Sequence, residues 1–186
     1  MDDNKVIAVD GDTICYRTAA ACEGTWEGAC EDVISSTLRF ISTDTGIHKF
    51  RIYLNSPHNF RYEVAKTKPY KGNRAGVRKP EFLNFCREHL KDNYSAIVVD
   101  NAEADDGIAT DMVLTGAIHC GVDKDLLQVP GVHYNYTKEF KEDRFRVVSP
   151  EEAEYNLYKQ VLSGDPTDNI PGLPRIGDKK ADSVLQ

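Results

Sequence analysis

Short apolar runs alternate along the chain with segments whose apolar residues recur every three to four positions. The runs are Val6–Asp10, Arg51–Leu54, Ser95–Asp100 and Ala117–Asp123, and their length and β-branched content predict strands. Between them, Val33, Ile34, Thr37, Leu38 and Ile41 repeat at helical spacing. Phe82, Leu83, Cys86, His89 and Leu90 do the same after Pro80, a residue that suits the opening of a helix. Strands that alternate with helices predict an α/β body from about residue 5 to 135, a mostly parallel sheet flanked by helices on both faces. Further on, Ser149-Pro150-Glu151-Glu152 has the form of a capping box with proline at the first helical position. A helix is expected from Pro150 to about Leu162, ended by Ser163-Gly164. The stretch from Gly164 to Lys180 is turn-rich and then enters a second helix that the end of the sequence cuts short. Two units follow: 1–148 as the α/β domain and 149–186 as a smaller, incomplete module. No internal repeat or low-complexity segment interrupts them.

Composition adds limits. At 186 residues the chain can bury one sizeable core, with room left for only a small appendage. No apolar run approaches the 18 or more residues of a membrane span, so no membrane partner is expected. Five cysteines, at positions 15, 22, 30, 86 and 120, show neither C-x-x-C nor zinc-ligand spacing. With no apolar signal at the N-terminus, free thiols in a reducing cytoplasm are expected. The net charge of −7 argues at first sight against a polyanionic partner. Its distribution changes the picture. From Arg61 to Lys79, seven basic residues (Arg61, Lys66, Lys68, Lys71, Arg74, Arg78, Lys79) face the single acid Glu63. Such a strip could be a plain solvated face, or one side of a site for a polyanion. Its charges repel one another, so loose packing is expected there.

The acids are placed where chemistry would need them. Asp10 closes the first predicted strand; Asp100 closes the third, with Glu103, Asp105 and Asp106 just beyond; Asp123 and Asp125 end the fourth. In an open parallel sheet the carboxyl ends of the strands form the ligand crevice, so acids from distant segments would converge there. Clustered hard oxygens suit Mg²⁺ or Mn²⁺, and carboxylates at such range repel one another without cations. Taken singly, Asp105 and Asp106 could be first-turn acids complementing a helix dipole, and Asp10-Gly11 a turn. Asp12 and Asp100 are read as peripheral and Asp111 as solvent-facing. Asp123 and Asp125, two apart in an extended chain, would share one face. None of His48, His58, His89, His119 and His133 falls into a nucleophilic arrangement.

Several of these residues resemble the motifs of the 5′ nuclease superfamily, which includes bacteriophage 5′ exonucleases, the 5′ nuclease domain of bacterial DNA polymerase I and flap endonucleases. Val9-Asp10-Gly11 resembles its first acidic strand end, and Tyr70-Lys71-Gly72-Asn73-Arg74 its Tyr-Lys-x-Asn-Arg segment. Glu103-Ala104-Asp105-Asp106 is similar to its Glu-Ala-Asp-Asp helix start, and Asp123-Lys124-Asp125 to its Asp-Lys-Asp strand end. The most specific match runs from Gly164-Asp165 through Asp168-Asn169-Ile170-Pro171-Gly172 to Ile176-Gly177 and Lys179, which is similar to the family's acidic loop and helix-hairpin-helix.

The resemblance implies a PIN-like α/β fold with a C-terminal helix-hairpin-helix module. It also implies a metal-dependent, structure-specific 5′-3′ exonuclease or flap endonuclease that hydrolyses DNA phosphodiester bonds. Asp10, Glu103, Asp105 and Asp106 would hold one Mg²⁺ and Asp123, Asp125, Asp165 and Asp168 a second, with Mn²⁺ able to substitute. Tyr70 would stack on the terminal base, and Lys71 and Arg74, with Asp10, Asp105 and Asp106, would form the catalytic set. Gly172, Gly177, Lys179 and Lys180 would hold the duplex backbone, where K⁺ could bind main-chain carbonyls. The implied partner is DNA with a 5′ end, flap or nick, and the implied state a monomer in a bacterial cytoplasm or, for a phage protein, that of its host. The chain departs from the pattern at Asn55, where the family commonly has aspartate, in a short crossover between Asp106 and Asp123, at Arg175, where glycine is frequent, and in stopping at Gln186. Two other readings stay open at this point: a PIN-domain ribonuclease, and a catalytically weak or inactive DNA-binding protein.

Overall fold

A computed structural model describes residues 5–186. Its centre is β1 (Ile7–Asp10), buried at every position. Side chains alternate along a strand, so Ile7 and Val9 enter one core cluster while Ala8 enters another on the opposite face. On one side of β1 lie β2 (Phe50–Leu54) and then β3 (Ile97–Val98); on the other lie β4 (Ile118–Cys120), β5 (Gly131–Tyr134) and β6 (Phe145–Val148). Every pairing is parallel except that of β5 with β6. The chain moves outward from β1 to β3 and then returns to β4, which makes β1/β4 the switch point and opens a crevice at their carboxyl ends.

Helices cover both faces. α1 (Gly11–Ala21), α2 (Glu27–Thr45) and α4 (Leu83–Tyr94) bury Ile14, Ile34, Ile41 and Leu90 against Ile7, Val9, Ile52 and Leu54. On the other face α5 (Ala104–Thr115) packs Ile108 and Met112 onto Ala8 and Tyr53. A single-turn helix, α3 (Arg61–Val64), opens the basic strip. The turn from β1 into α1 needs a glycine: a Cβ on Gly11 would lie 2.7 Å from Ile52 Cγ2 and 2.8 Å from the Tyr53 carbonyl oxygen. That close approach seats the start of α1, and with it Asp10, against β2.

The helix expected over 150–162 runs from Pro150 to Ser163 (α6), with the Ser149 hydroxyl accepting from Glu152 N–H at 3.1 Å. It leads into a two-stranded ribbon, β7 (Gly164–Asp165) with β8 (Ile170–Pro171), and then to α7 (Asp178–Leu185). The ribbon closes through a glycine pair. Gly164 has φ +78°, and a Cβ on Gly172 would lie 2.2 Å from the Ser163 carbonyl carbon. α7 is held to α6 by Tyr155 and Lys159, both bonded to Asp182 at 2.6 and 2.7 Å.

Four expectations are corrected. The third strand is two exposed residues rather than Ser95–Asp100, because Ser95 takes a left-handed conformation (φ 54°) to end α4 and Asn101 another (φ 49°). The fourth stops at Cys120, so Asp123 and Asp125 do not share a strand face. Instead Asp123 Oδ1 accepts from Asp125 N–H at 2.8 Å, and the chain curls into a 3₁₀ turn, Asp125–Gln128. Asp12 is buried rather than peripheral, paired with Arg87 and accepting from Asn55 N–H at 2.6 Å. Asp111 is likewise buried, paired with Arg51 and accepting from the Tyr53 hydroxyl at 3.0 Å. Asp111→Ala would leave that hydroxyl without its acceptor; chemical denaturation should show a loss of about 1–3 kcal/mol, and an unchanged midpoint would refute the structural role.

The five cysteines are free and buried. His119 and His133 form a buried pair, 2.9 Å between their Nδ1 atoms. No helix among the described residues is long and apolar enough to cross a membrane.

Candidate metal centre

Asp10 ends the central strand and caps the first helix, its Oδ1 accepting from Thr13 N–H at 3.0 Å and its Oδ2 from the Thr13 hydroxyl. Burial holds its carboxyl above the usual range. Glu103, Asp105 and Asp106 come from the start of α5 on the neighbouring face. Asp123 and Asp125 come from the loop after β4, and Asp165 and Asp168 from the ribbon beyond α6. These eight acids line one cavity of about 800 Å³ at the carboxyl edge of the sheet, together with Arg61, Tyr70, Lys71 and Arg74. Gly172, Gly177, Lys179 and Lys180 do not line it. Gly177 caps α7, whose first turn carries the exposed Lys179 and Lys180. Arg175, where glycine was expected, takes the left-handed conformation that glycine favours (φ 67°).

The acids divide by their partners. Asp106 is clasped by both terminal nitrogens of Arg61 at 2.7 and 2.8 Å and also accepts from Glu103 N–H, and the Arg61 bond holds its carboxyl below the usual range. Glu103 takes Lys71 and the Tyr70 hydroxyl, the latter at 2.6 Å. Asp168 takes Arg74 at 2.9 Å and the same hydroxyl at 2.7 Å, with Lys71 Nζ 3.9 Å away. Asp105 is different. Burial first, then Asp10, Asp123 and Glu103, push its carboxyl up to about 8. Asp125, raised by burial and by Asp123, reaches about 6.

Asp125, Asp165 and Asp168 each offer an oxygen within 4.8 Å of the others. A donor set made only of carboxylate oxygens fits Mg²⁺ or Mn²⁺ rather than a soft metal. The raised carboxyls of Asp10 and Asp105 fit it too, since burial first and neighbouring acids second disfavour their charged forms, and a divalent cation would favour those forms.

Sequence reasoning missed several contacts here. Asn55 does not hold its side-chain oxygen free: Oδ1 accepts from Ala104 N–H at 2.7 Å, fixing the first turn of α5. Tyr70 is 6% exposed, its hydroxyl tied to two acids, so in this state its ring is not offered to a base. The strip around it is clipped down rather than loose: Lys71 N–H reaches Asp168 O at 3.0 Å, Asn73 Nδ2 the Pro166 carbonyl at 2.8 Å, and Asn169 Nδ2 the Pro69 carbonyl at 2.9 Å. Arg61 stands in the basic strip and was visible as a charge, but not as the partner of Asp106. Gln160, whose amide donates to Asp125 and Asp165, carried no sequence signal at all.

No family model matches the chain. It is similar to the flap endonuclease Xni of Shewanella baltica, 26% identical over 197 residues that cover 98% of this chain and 74% of that protein. It is also similar to DNA polymerase I of Rhizobium leguminosarum, 34% identical over 164 residues, covering 78% of this chain but only 16% of the polymerase. Among solved structures, the flap endonuclease of bacteriophage T5, in a pseudo-enzyme–product complex with DNA and metal ions, superposes with a TM-score of 0.78. That match is at 18% identity and covers 97% of this chain and 74% of the T5 protein; it establishes the fold.

Proposed function

We propose that the chain is a member of the 5′ nuclease superfamily, a reading its similarity to flap endonuclease Xni and to DNA polymerase I supports, and that it is a divalent-cation-dependent nuclease that hydrolyses DNA at a 5′ end, flap or nick. The convergence of eight carboxylates from four stretches of the chain on one cavity, beside Lys71 and Arg74, is the observation that carries this reading. Asp10, Glu103 and Asp105 would hold one cation and Asp123, Asp125, Asp165 and Asp168 the second. Mg²⁺ is the proposed ion, with Mn²⁺ as substitute. Bound there, the cations would supply the Lewis acidity that lowers the pKa of the attacking water and stabilises the leaving oxygen.

The chain's own residues do the rest. Lys71 and Arg74 leave Glu103 and Asp168 for the phosphate and neutralise charge as it develops in the transition state. Asp106, clasped by Arg61 and bonded to Glu103 N–H, positions the start of α5 more than it ligates. Release of its hydroxyl from Glu103 and Asp168 would free Tyr70 to stack on a base. The exposed Lys179 and Lys180, with the N–H groups of the turn ending at Gly177, would hold the duplex backbone irrespective of base sequence. K⁺ on carbonyls of that turn, a monomeric state and a reducing cytoplasmic setting, which suits five free cysteines, belong to the same proposal.

A cleavage assay on a 5′-flap DNA duplex tests it. Cleavage is expected with Mg²⁺ or Mn²⁺ and should be abolished by EDTA. Branched DNA that is bound but never cut would indicate a DNA-binding protein instead, and preferential cutting of single-stranded RNA a ribonuclease.

A further inference from the structure

Gln160 lies on α6, and its side-chain amide sits between two carboxylates that come from separate parts of the chain. Its Nε2 donates to Asp125 Oδ1 at 2.7 Å and to Asp165 Oδ2 at 3.3 Å, while its Oε1 accepts from Gln128 Nε2. We propose that Gln160 is the positioning residue of the cation position formed by Asp125, Asp165 and Asp168, with Gln128 fixing the orientation of its amide. The inference rests on the metal reading above.

The chemistry of the bridge is specific. Asp125 begins a 3₁₀ turn and Asp165 ends a short strand, so nothing in the backbone ties them, and their charges drive them apart. A lysine or arginine between them would hold them together but neutralise them, as Lys71 and Arg74 do around Asp168. An amide holds them and leaves their charge for a cation. Only its NH₂ edge can face two carboxylates, since an amide oxygen there would repel both. The Gln128 N–H aimed at Oε1 selects that edge. Each carboxylate retains lone pairs: Asp165 accepts one bond at Oδ1, from Thr167 N–H at 2.9 Å, and one at Oδ2. The arrangement is that of an outer group orienting ligands, whose removal costs about 10- to 100-fold in metal affinity.

The test is Mn²⁺ binding to the full chain by calorimetry and electron paramagnetic resonance, without DNA. Gln160→Leu is expected to weaken one Mn²⁺ site by about 10- to 100-fold and to leave the far-UV circular dichroism unchanged. Gln128→Leu should cause a smaller loss in the same direction, and it carries the test if Gln160→Leu does not fold. In cleavage, Gln160→Leu should shift the Mg²⁺ midpoint upward while the rate at saturating Mg²⁺ recovers, a split that a purely structural defect would not produce. Wild-type protein that binds Mn²⁺ with both variants unchanged overturns the role of Gln160 alone. Wild-type protein that binds none overturns the metal reading, and this inference with it.

Discussion

Asp105→Asn should lower flap cleavage by at least about 10²–10³-fold and at the same time make the metal-free protein more stable. The two effects have one cause. Asp105 sits among Asp10, Asp123 and Glu103, and burial together with those charges raises its carboxyl to about 8. Its folded pKa therefore lies above the unfolded value. Between about pH 4 and pH 8 the folded metal-free protein holds a proton that the unfolded chain releases, and stability falls as pH rises through that window. Asparagine keeps the shape and cannot titrate. The variant should lose this slope and gain up to about 2–4 kcal/mol at neutral pH, taking about 1.4 kcal/mol per pKa unit and discounting for what the coupled neighbours share. That corresponds to several degrees in melting temperature, at roughly 2–4 °C per kcal/mol for a chain of this size. Mg²⁺ should stabilise the wild type more than the variant. A variant that melts lower than the wild type in EDTA at pH 8 would show that the acids are not strained against one another.

Lys71→Ala should change metal binding and turnover in opposite directions. The Lys71 ammonium is bonded to Glu103 and lies 3.9 Å from Asp168, so it occupies space and charge that a divalent cation would take. Its removal is expected to tighten Mn²⁺ binding by about 5- to 10-fold, the equivalent of roughly 1 kcal/mol of relieved competition. Cleavage should fall by about 10²-fold, because the same ammonium no longer reaches the phosphate in the transition state. The salt dependence of DNA binding should lose about one unit of slope. Unchanged Mn²⁺ affinity would mean that Lys71 swings clear of Glu103 before the cation arrives; unchanged turnover would remove it from the catalytic set.

Some of this molecule could be read from residue order alone, because the physics involved is local. Val6–Asp10 and Arg51–Leu54 have a length and composition that favour a strand, and both became parallel strands paired with each other. Ser149-Pro150-Glu151-Glu152 carries its own cap, so α6 started where expected. The resemblance of Glu103-Ala104-Asp105-Asp106 and of Asp165 to Asp168 marked the acids, and the strand-end rule marked the edge where most of them meet.

What the order of residues could not decide was which acid meets which cation. The sequence sets Asp106 apart as a motif acid and leaves Asp12 as peripheral and Asp111 as solvent-facing, yet each is bound by an arginine between 45 and 75 positions away; the first two line the cavity, but Asp111 does not. Asn55, singled out as a missing charge, secures a helix start that no local pattern names, and Gln160 becomes visible only when α6 lies beside the Asp125 turn. Local propensity and spacing set where strands, caps and acidic clusters occur, because those depend on neighbours within a few residues. The pairing of charges, the raised carboxyls of Asp10 and Asp105 and the geometry of the proposed cation positions depend on burial and on distances between remote segments, and only the packed structure determines those.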